Sequence, residues 1–417
     1  MARHLERGIR KNAAPKPDGP SPEKPIMDRR TFVAGAAGVL GVQTSASDRL
    51  VAGVIGTGSE GKYLLTAFKR NPAVRIGAVC DVYEPHLEAG LALAGDKARA
   101  YRNYKAMLDD KNIQIIVIAT PEHWHHRMTL DALSAGKDIY VEKPLCHTPE
   151  EGVELVNASK KSKSVVQVGM QRRSYDLFVN AKKVAAAGTL GSVRMVRSWW
   201  LNNQLQAPKR KLEGALDWEQ WQGPAPRRAL DAARFFDWRS YAEYSGGIMA
   251  DQGAHVFDGI HMITGVGYPL AVTASQGRIL KPGVNTPERV VVAAEYPEDL
   301  LAIFTINYAA MRYKNRHDQL SQFDGDLARL DIGRESFQVF KQGQEEVPVM
   351  NEPSSVGFSR AGESHVDNFL ECVRTRAIPR APMEVGFQAA LVVQMANISM
   401  RHGALVRWNQ TTSTVEA

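Results

Sequence analysis

The stretch Leu50-Val51-Ala52-Gly53-Val54-Ile55-Gly56-Thr57-Gly58-Ser59-Glu60-Gly61 decides the fold. Its first half is a short, continuous apolar run, the pattern of a strand buried on both faces within a parallel sheet. The run leads directly into Gly-x-Gly-x-x-Gly, and Lys62 to Arg70 continues with helical patterning. In such a strand–turn–helix unit Gly56 allows the tight turn, Gly58 lets a pyrophosphate approach bare backbone, and Gly61 lets the helix pack on the strand. Phosphate then meets unpaired amides at the positive end of the helix dipole.

Working outward, the β-rich runs Val74 to Cys80, Gln114 to Ala119, Asp138 to Val141 and Val165 to Val168 alternate with helical stretches. That alternation predicts a Rossmann-type, doubly wound parallel sheet over residues 49–168, within an α/β fold class. Asp81 ends the second run, 20 residues beyond Gly61. A carboxylate there accepts hydrogen bonds from adenosine ribose hydroxyls and repels a 2′-phosphate. Val82 and Tyr83 bring no arginine to offset that repulsion, so NAD is expected rather than NADP. Capping of a helix beginning near Glu84 is a compatible role for Asp81.

The 417 residues suffice for two domains, and 44% hydrophobic with 23% charged residues is an ordinary globular balance. Cys80, Cys146 and Cys372 lie far apart with no CxxC pair, which leaves no disulfide or zinc framework. The net charge of +7 is concentrated in residues 1–47, where eight Lys/Arg face four acids, leaving +3 for the rest. Without a basic footprint on the folded part, no nucleic-acid partner is expected.

Residues 1–48 read as a leader. Residues 1–26 are polar, basic and proline-rich, and Met27 is an alternative initiator. Arg29-Arg30 then precede an apolar run from Phe32 to Val42 and a small polar stretch, Gln43 to Ser47. Basic, apolar, then small is the order of a signal peptide, and twin arginines point to the Tat route, which exports folded proteins. The run is far shorter than the roughly 20 residues of a spanning helix, so no membrane span is expected in the mature chain. The expected location is periplasmic or secreted, or cytoplasmic if the leader is not a functional signal.

At Tyr140-Val141-Glu142-Lys143-Pro144-Leu145 the sequence resembles the Gfo/Idh/MocA oxidoreductases, which carry Glu-Lys-Pro at the end of the fifth strand. Thr120-Pro121-Glu122-His123-Trp124-His125 is similar to the family's Thr-Pro-x-x-x-His. Gly246-Gly247 followed by Asp251-Gln252-Gly253-Ala254-His255-Val256-Phe257-Asp258 is similar to its Gly-Gly…Asp-x-Gly-x-His-x-x-Asp. The likeness extends to about residue 408. It implies a nicotinamide-dependent enzyme acting on sugars, cyclitols or related hydroxy compounds, here in a manner similar to glucose–fructose oxidoreductase. It also implies a C-terminal α/β domain, residues 169–417, built on an open, mainly antiparallel sheet that pairs subunits into a homo-oligomer. Runs at Ser192 to Trp200, Leu270 to Arg278, Arg289 to Tyr296 and Leu300 to Tyr308 read independently as strands.

Oxidation of a secondary alcohol needs an aimed carbon–hydrogen bond and a group that takes the hydroxyl proton. The resemblance implies that Lys143 holds the reacting hydroxyl, its ammonium favouring alkoxide charge, with Pro144 placing it through a cis peptide. Asp251 and His255, four apart, share a face if the stretch is helical. His255 is the natural proton acceptor, and Asp251 either binds substrate or orients the imidazole. Asp258 reads as structural. The cofactor set is then Gly56, Gly58, Gly61, Asp81, Thr120, Pro121, His125, Glu142 and Lys143. His123, His125 and His126 lack a complementary ligand set, so no metal is expected.

Trp199, Trp200, Trp218, Trp221 and Trp238 cluster between residues 199 and 238 and suit either a sugar-stacking pocket or ordinary aromatic packing. Gln171, Arg172 and Arg173 follow the last Rossmann strand with open roles. Export would separate the enzyme from a free NAD pool, so a tightly bound, recycled NAD acting on a carbohydrate is the leading expectation. One alternative is an NAD-dependent glycosidase working by transient oxidation, elimination, hydration and re-reduction, which needs another base, with Tyr175, Tyr241 and Tyr244 as candidates. Others are a conventional dehydrogenase with exchangeable NAD and a non-catalytic NAD-binding sensor.

Overall fold

The computed structural model describes residues 49–205, 210–311 and 318–417. The expected leader and signal peptide over residues 1–48 lies outside the described residues. The first sheet consists of β1 (Leu50–Ile55), β2 (Val74–Cys80), β3 (Arg99–Tyr101), β4 (Ile115–Ile118), β5 (Asp138–Val141) and β6 (Val166–Val168). Its strands are all parallel, in the order β3-β2-β1-β4-β5-β6. The helices between them are α1 (Ser59–Arg70), α2 (Glu84–Ala94), α3 (Tyr104–Leu108), α4 (His125–Ser134) and α5 (Pro149–Lys161). The order reverses between β1 and β4, and a crevice opens at the carboxyl ends of the strands there, the place where open α/β sheets bind ligands. Strand β3, a short edge strand, has no apolar run to announce it.

After a single turn at Gln171–Ser174 come α6 (Asp176–Ala186), β7 (Val193–Leu201), α7 (Trp218–Gln222), α8 (Ala232–Phe236) and α9 (Gly247–Thr264). Strands β8 (Ala271–Gln276), β9 (Arg289–Tyr296), β10 (Leu300–Asn307), β11 (Gln319–Gly325), β12 (Ala328–Ile332), β13 (Ser336–Lys341) and β14 (Met350–Pro353) follow. Helices α10 (Phe358–Thr375) and α11 (Met383–His402) precede β15 (Val406–Asn409) and β16 (Thr414–Glu416). The second sheet has ten strands in the order β14-β13-β12-β11-β7-β10-β9-β8-β15-β16. Only β7 and β10 pair in parallel; the other neighbours are antiparallel.

Strand β10 explains how that sheet is covered. Leu300, Ala302, Phe304 and Ile306 are buried, while Leu301, Ile303 and Thr305 between them are only half-buried. The buried face receives α9, with the Phe257 and Phe304 rings edge to face at 6.0 Å. Fully burying such a side chain contributes roughly 1.5–3 kcal/mol.

Helix α10 does something the chain order does not suggest. It returns to the first sheet, where Phe369 meets Phe68 at 6.1 Å and Tyr140 at 5.8 Å, and Asp367 pairs with Arg70 at 2.6 Å. The core around α1 and β5 is thus completed from the far end of the chain.

Candidate active site

A cleft of about 720 Å³ runs from the Gly-rich turn to the second sheet. Gly56 has φ of +82°, and a Cβ there would lie 2.7 Å from the Ala119 carbonyl oxygen, so the turn requires glycine. A Cβ on Gly58 would instead project into the cleft, its nearest neighbour the His86 ring at 3.7 Å. Among the described residues no side chain caps the start of α1, so its first amides are open to a ligand. A bare-backbone cradle beside uncapped amides fits the pyrophosphate of a dinucleotide.

Asp81 lines the same cleft. Its Oδ2 accepts from the Thr57 amide at 2.7 Å and its Oδ1 from the Tyr83 amide at 2.9 Å. These bonds hold the carboxylate at the cleft edge with lone pairs to spare for ribose hydroxyls. Opposite it stands a wall from the second domain. Residues 215–217 bond to the β2–α2 corner through the Glu84 amide to Ala215 O (2.9 Å) and the Asp217 amide to Val82 O (3.0 Å). Phe235 then packs 5.0 Å from Tyr83 and 5.8 Å from His86, and Phe235, Phe236 and Arg210 face the cleft.

Where β5 ends, the Lys143–Pro144 bond is cis. Lys143 Nζ donates to Asp251 Oδ1 at 2.6 Å and to the Asp251 carbonyl at 3.1 Å. Arg239 Nε lies 3.3 Å from Asp251 Oδ2, which also accepts from Gln252 at 3.1 Å. Burial alone would raise the Asp251 pKa; Arg239 and Lys143 outweigh it and hold the carboxyl well below the usual range. His255, one helical turn on, lines the cleft as well. Burial, Lys143 and Arg172 keep its pKa well below 6.5, so the imidazole is neutral. Its Nδ1 is buried with no hydrogen-bond partner among the described residues. The Asp251 carboxylate faces the two cations, and among the described residues no hydrogen bond joins it to the imidazole.

Thr120, Pro121 and Glu142 line the same region. His125 Nδ1 and Nε2 lie 2.7 Å from Pro144 O and 2.9 Å from Thr120 O. Burial drops its pKa to about 4, so the neutral ring carries one N–H, which donates to one of the two carbonyls, and the other nitrogen only packs against its oxygen. The ring ties the β4 loop to the β5 loop while forming part of the cleft wall. Glu142 accepts from Gln171 Nε2 at 3.1 Å and from the Lys143 amide at 3.2 Å. Burial and the nearby Glu60 push its pKa well up, against the pull of the Lys143 ammonium. Glu122, buried, accepts from Ser245 Oγ (2.7 Å) and the Gly246 amide (2.8 Å), anchoring the start of α9 that carries Asp251 and His255.

Other singled-out residues divide. Trp218 and Trp221 stack on each other at 4.7 Å within an aromatic cluster that includes Phe235 and Tyr244, and Trp221, like Trp200 and Trp238, also lines the cleft. Arg173 pairs with Asp258 at 2.6 Å, deep in the protein. Of the three tyrosines, Tyr175 alone lines the cleft, with its hydroxyl proton committed to Arg334 O at 2.6 Å. His123 turns to Trp221 O (3.0 Å) and His126 to Glu154 (2.9 Å), so the histidine triplet does not converge. Sequence reasoning missed Arg239 and Arg334, for which no spacing gives a signal, and Glu60, hidden inside the glycine motif.

Two family models match the chain: "Oxidoreductase family, NAD-binding Rossmann fold" over residues 50–170 and "GFO/IDH/MocA C-terminal domain" over residues 178–327. The inositol 2-dehydrogenase of Salmonella typhimurium is 30% identical over 149 residues, 35% of this chain and 44% of that protein. An uncharacterized oxidoreductase of Synechocystis is 24% identical over 231 residues, 55% of each chain. The chain thus spans less than half the length of the inositol dehydrogenase it matches. Among solved structures, a levoglucosan dehydrogenase in complex with NADH and levoglucosan superposes with a TM-score of 0.71 at 19% identity, over 86% of this chain and 99% of that one. Myo-inositol 2-dehydrogenase from Lactobacillus plantarum gives 0.66 at 23%, over 86% and 99%. These two likenesses establish the fold.

Proposed function

The chain belongs to the Gfo/Idh/MocA oxidoreductase family with an NAD-binding Rossmann domain, and from that premise we propose that it oxidises a secondary hydroxyl of a sugar or related carbohydrate. The observation that carries the reading is the Lys143–Asp251 contact of 2.6 Å at the end of β5, with a neutral His255 on the same cleft. The names of the relatives, an inositol and a levoglucosan dehydrogenase, support the substrate class.

Gly56, Gly58 and Gly61 hold the pyrophosphate, Asp81 the ribose, and Thr120, Pro121, His125 and Glu142 the walls beside the nicotinamide. Bound NAD⁺ supplies the hydride acceptor. Lys143 donates a hydrogen bond to the substrate hydroxyl and stabilises negative charge on its oxygen. Asp251 and Arg239 fix where that ammonium points. His255 Nε2 takes the hydroxyl proton, which it can do because the ring is uncharged beforehand.

The cofactor is retained between turnovers and would be re-oxidised by reduction of a second sugar; the wall of residues 215–236 over the Asp81 end supports retention, and the twin arginines Arg29-Arg30 support export of the loaded enzyme. A second copy covers the half-buried face of β10, giving a homo-oligomer. To test the function, the chain is purified without added nucleotide, assayed for bound NAD, and given a sugar panel with products resolved chromatographically. Oxidised sugar formed by the wild type and abolished in Lys143→Ala is expected. Sugar turnover undiminished in that variant would refute the assignment of chemistry to this cleft.

A further inference from the structure

Arg172 is 6% exposed, yet among the described residues no carboxylate lies within ion-pair distance of it. Its guanidinium bonds to Gln319 Oε1 and sits over two rings, Phe178 at 5.1 Å and Trp200 at 5.4 Å. Burial, and after it the charge of Arg334, lowers its pKa to about 10, so it stays cationic at neutral pH. Asp258 is the acid that most favours its charge, but Asp258 Oδ1 is already held by Arg173 at 2.6 Å. A guanidinium has five N–H donors, and a buried charge without a counter-ion costs several kcal/mol.

A second cation stands beside it. The Arg334 guanidinium lies 5.7 Å from the same Trp200 ring and takes one carboxylate, Asp318, at 2.8 Å. Both arginines, with Trp200 and Gln319, line the cleft that holds Lys143 and His255, and Arg172 acts electrostatically on His255. Lys143 and Arg239 are different: they share the carboxylate of Asp251.

We infer that the carbohydrate substrate carries an oxyanion, a carboxylate or a phosphate, which Arg172 and Arg334 bind beside Trp200. Planar guanidinium forks suit either group through paired N–H···O bonds. The oxyanion supplies the counter-charge Arg172 lacks and separates two like charges around one indole. The inference rests on the carbohydrate oxidoreductase reading of the same cleft and narrows its substrate.

The test compares neutral hexoses with the matching uronates and hexose 6-phosphates, using the purified chain with NAD supplied. One anionic series is expected to exceed its neutral parents in kcat/KM by at least about tenfold, the low end for a charge-assisted hydrogen bond. Arg172→Gln and, separately, the more exposed Arg334→Gln bring that ratio towards one with NAD affinity unchanged, and Arg172→Lys restores part of it. Preference for uronates assigns a carboxylate; preference for the phosphorylated sugars assigns a phosphate. Equal turnover of neutral sugars, or a preference untouched in both glutamine variants, overturns the inference and leaves the oxidoreductase reading standing. Calorimetric binding of the same anionic sugars in the presence of NADH separates the two: Arg172-dependent binding without turnover keeps the oxyanion site and removes the proposed reaction.

Discussion

Lys143 and Asp251 meet at 2.6 Å although 108 positions separate them in the chain, one from the end of a Rossmann strand and the other from the helix that floors the second domain. The contact joins the two halves of the cleft at the point where chemistry is proposed. With Arg239 at 3.3 Å on its other oxygen, Asp251 is one carboxylate between two cations. Asp251→Asn removes that anion and leaves both cations in each other's field. A loss of stability of about 3 kcal/mol is expected, as for breaking a buried ion pair, readable in urea unfolding. The depressed pKa fixes the sign: the contribution of Asp251 is complete above the unfolded-state value near 3.8 and is lost only as pH falls towards the lower folded value. The stability gap between wild type and Asp251→Asn therefore holds constant from pH 7 to pH 5 and closes only in stronger acid.

His255 sets a second expectation. Its folded pKa lies below 6.5, driven by burial and by Lys143 and Arg172. In the proposed reaction the neutral ring is the active form, so kcat/KM holds as pH falls through 6.5 and declines only below it. Arg172→Gln removes one of the two cations, which raises the imidazole pKa and moves the acid limb upward. An acid limb at or above 6.5 in the wild type would count against His255 as the proton acceptor.

Phe235 tests the wall over the adenosine end. It is 6% exposed and packs against Tyr83 and His86, next to Asp81. Phe235→Ala opens that wall, and NAD binding measured by calorimetry weakens by about tenfold or more, the equivalent of roughly 1.4 kcal/mol. The proportion of chain purified with NAD bound falls with it. Unchanged affinity would remove the wall from the account of cofactor retention.

Phe369 tests the return of α10 to the first sheet. It is fully buried against Phe68 and Tyr140. Phe369→Ala leaves a cavity there and lowers stability by about 3–5 kcal/mol. A negligible change in the urea midpoint would mean the first sheet does not depend on α10.

Ile303, on the half-buried face of β10, tests the expected oligomer. Light scattering should give a mass that is a multiple of the 46.0 kDa chain, less any cleaved leader, and Ile303→Arg should reduce it to one chain. A monomeric wild type would end the proposal of subunit pairing through this sheet.

The local elements of the first domain were legible because each is written in neighbouring residues. The runs at Leu50–Ile55, Val74–Cys80 and Asp138–Val141 are strands with those very bounds, and the alternation from Leu300 gives the buried face of β10. Gly56, Gly58, Asp81 and Lys143 could be picked out because turn geometry and strand ends confine them to short motifs. The partners of those residues could not. Arg239, Arg334 and Phe235 sit in stretches without periodicity, and their roles depend on which surfaces the two domains bring together. The same holds for Asp251, whose spacing to His255 left it either binding substrate or orienting the imidazole; packing turned its carboxylate to Lys143 and Arg239, because two cations attract it more strongly than one neutral ring. Short-range sterics and hydrogen bonding, acting within a few residues, made the sequence sufficient for strands, turns and the dinucleotide loop. Charge and burial act through space, so the balance of ions in the cleft was decided only by the tertiary structure.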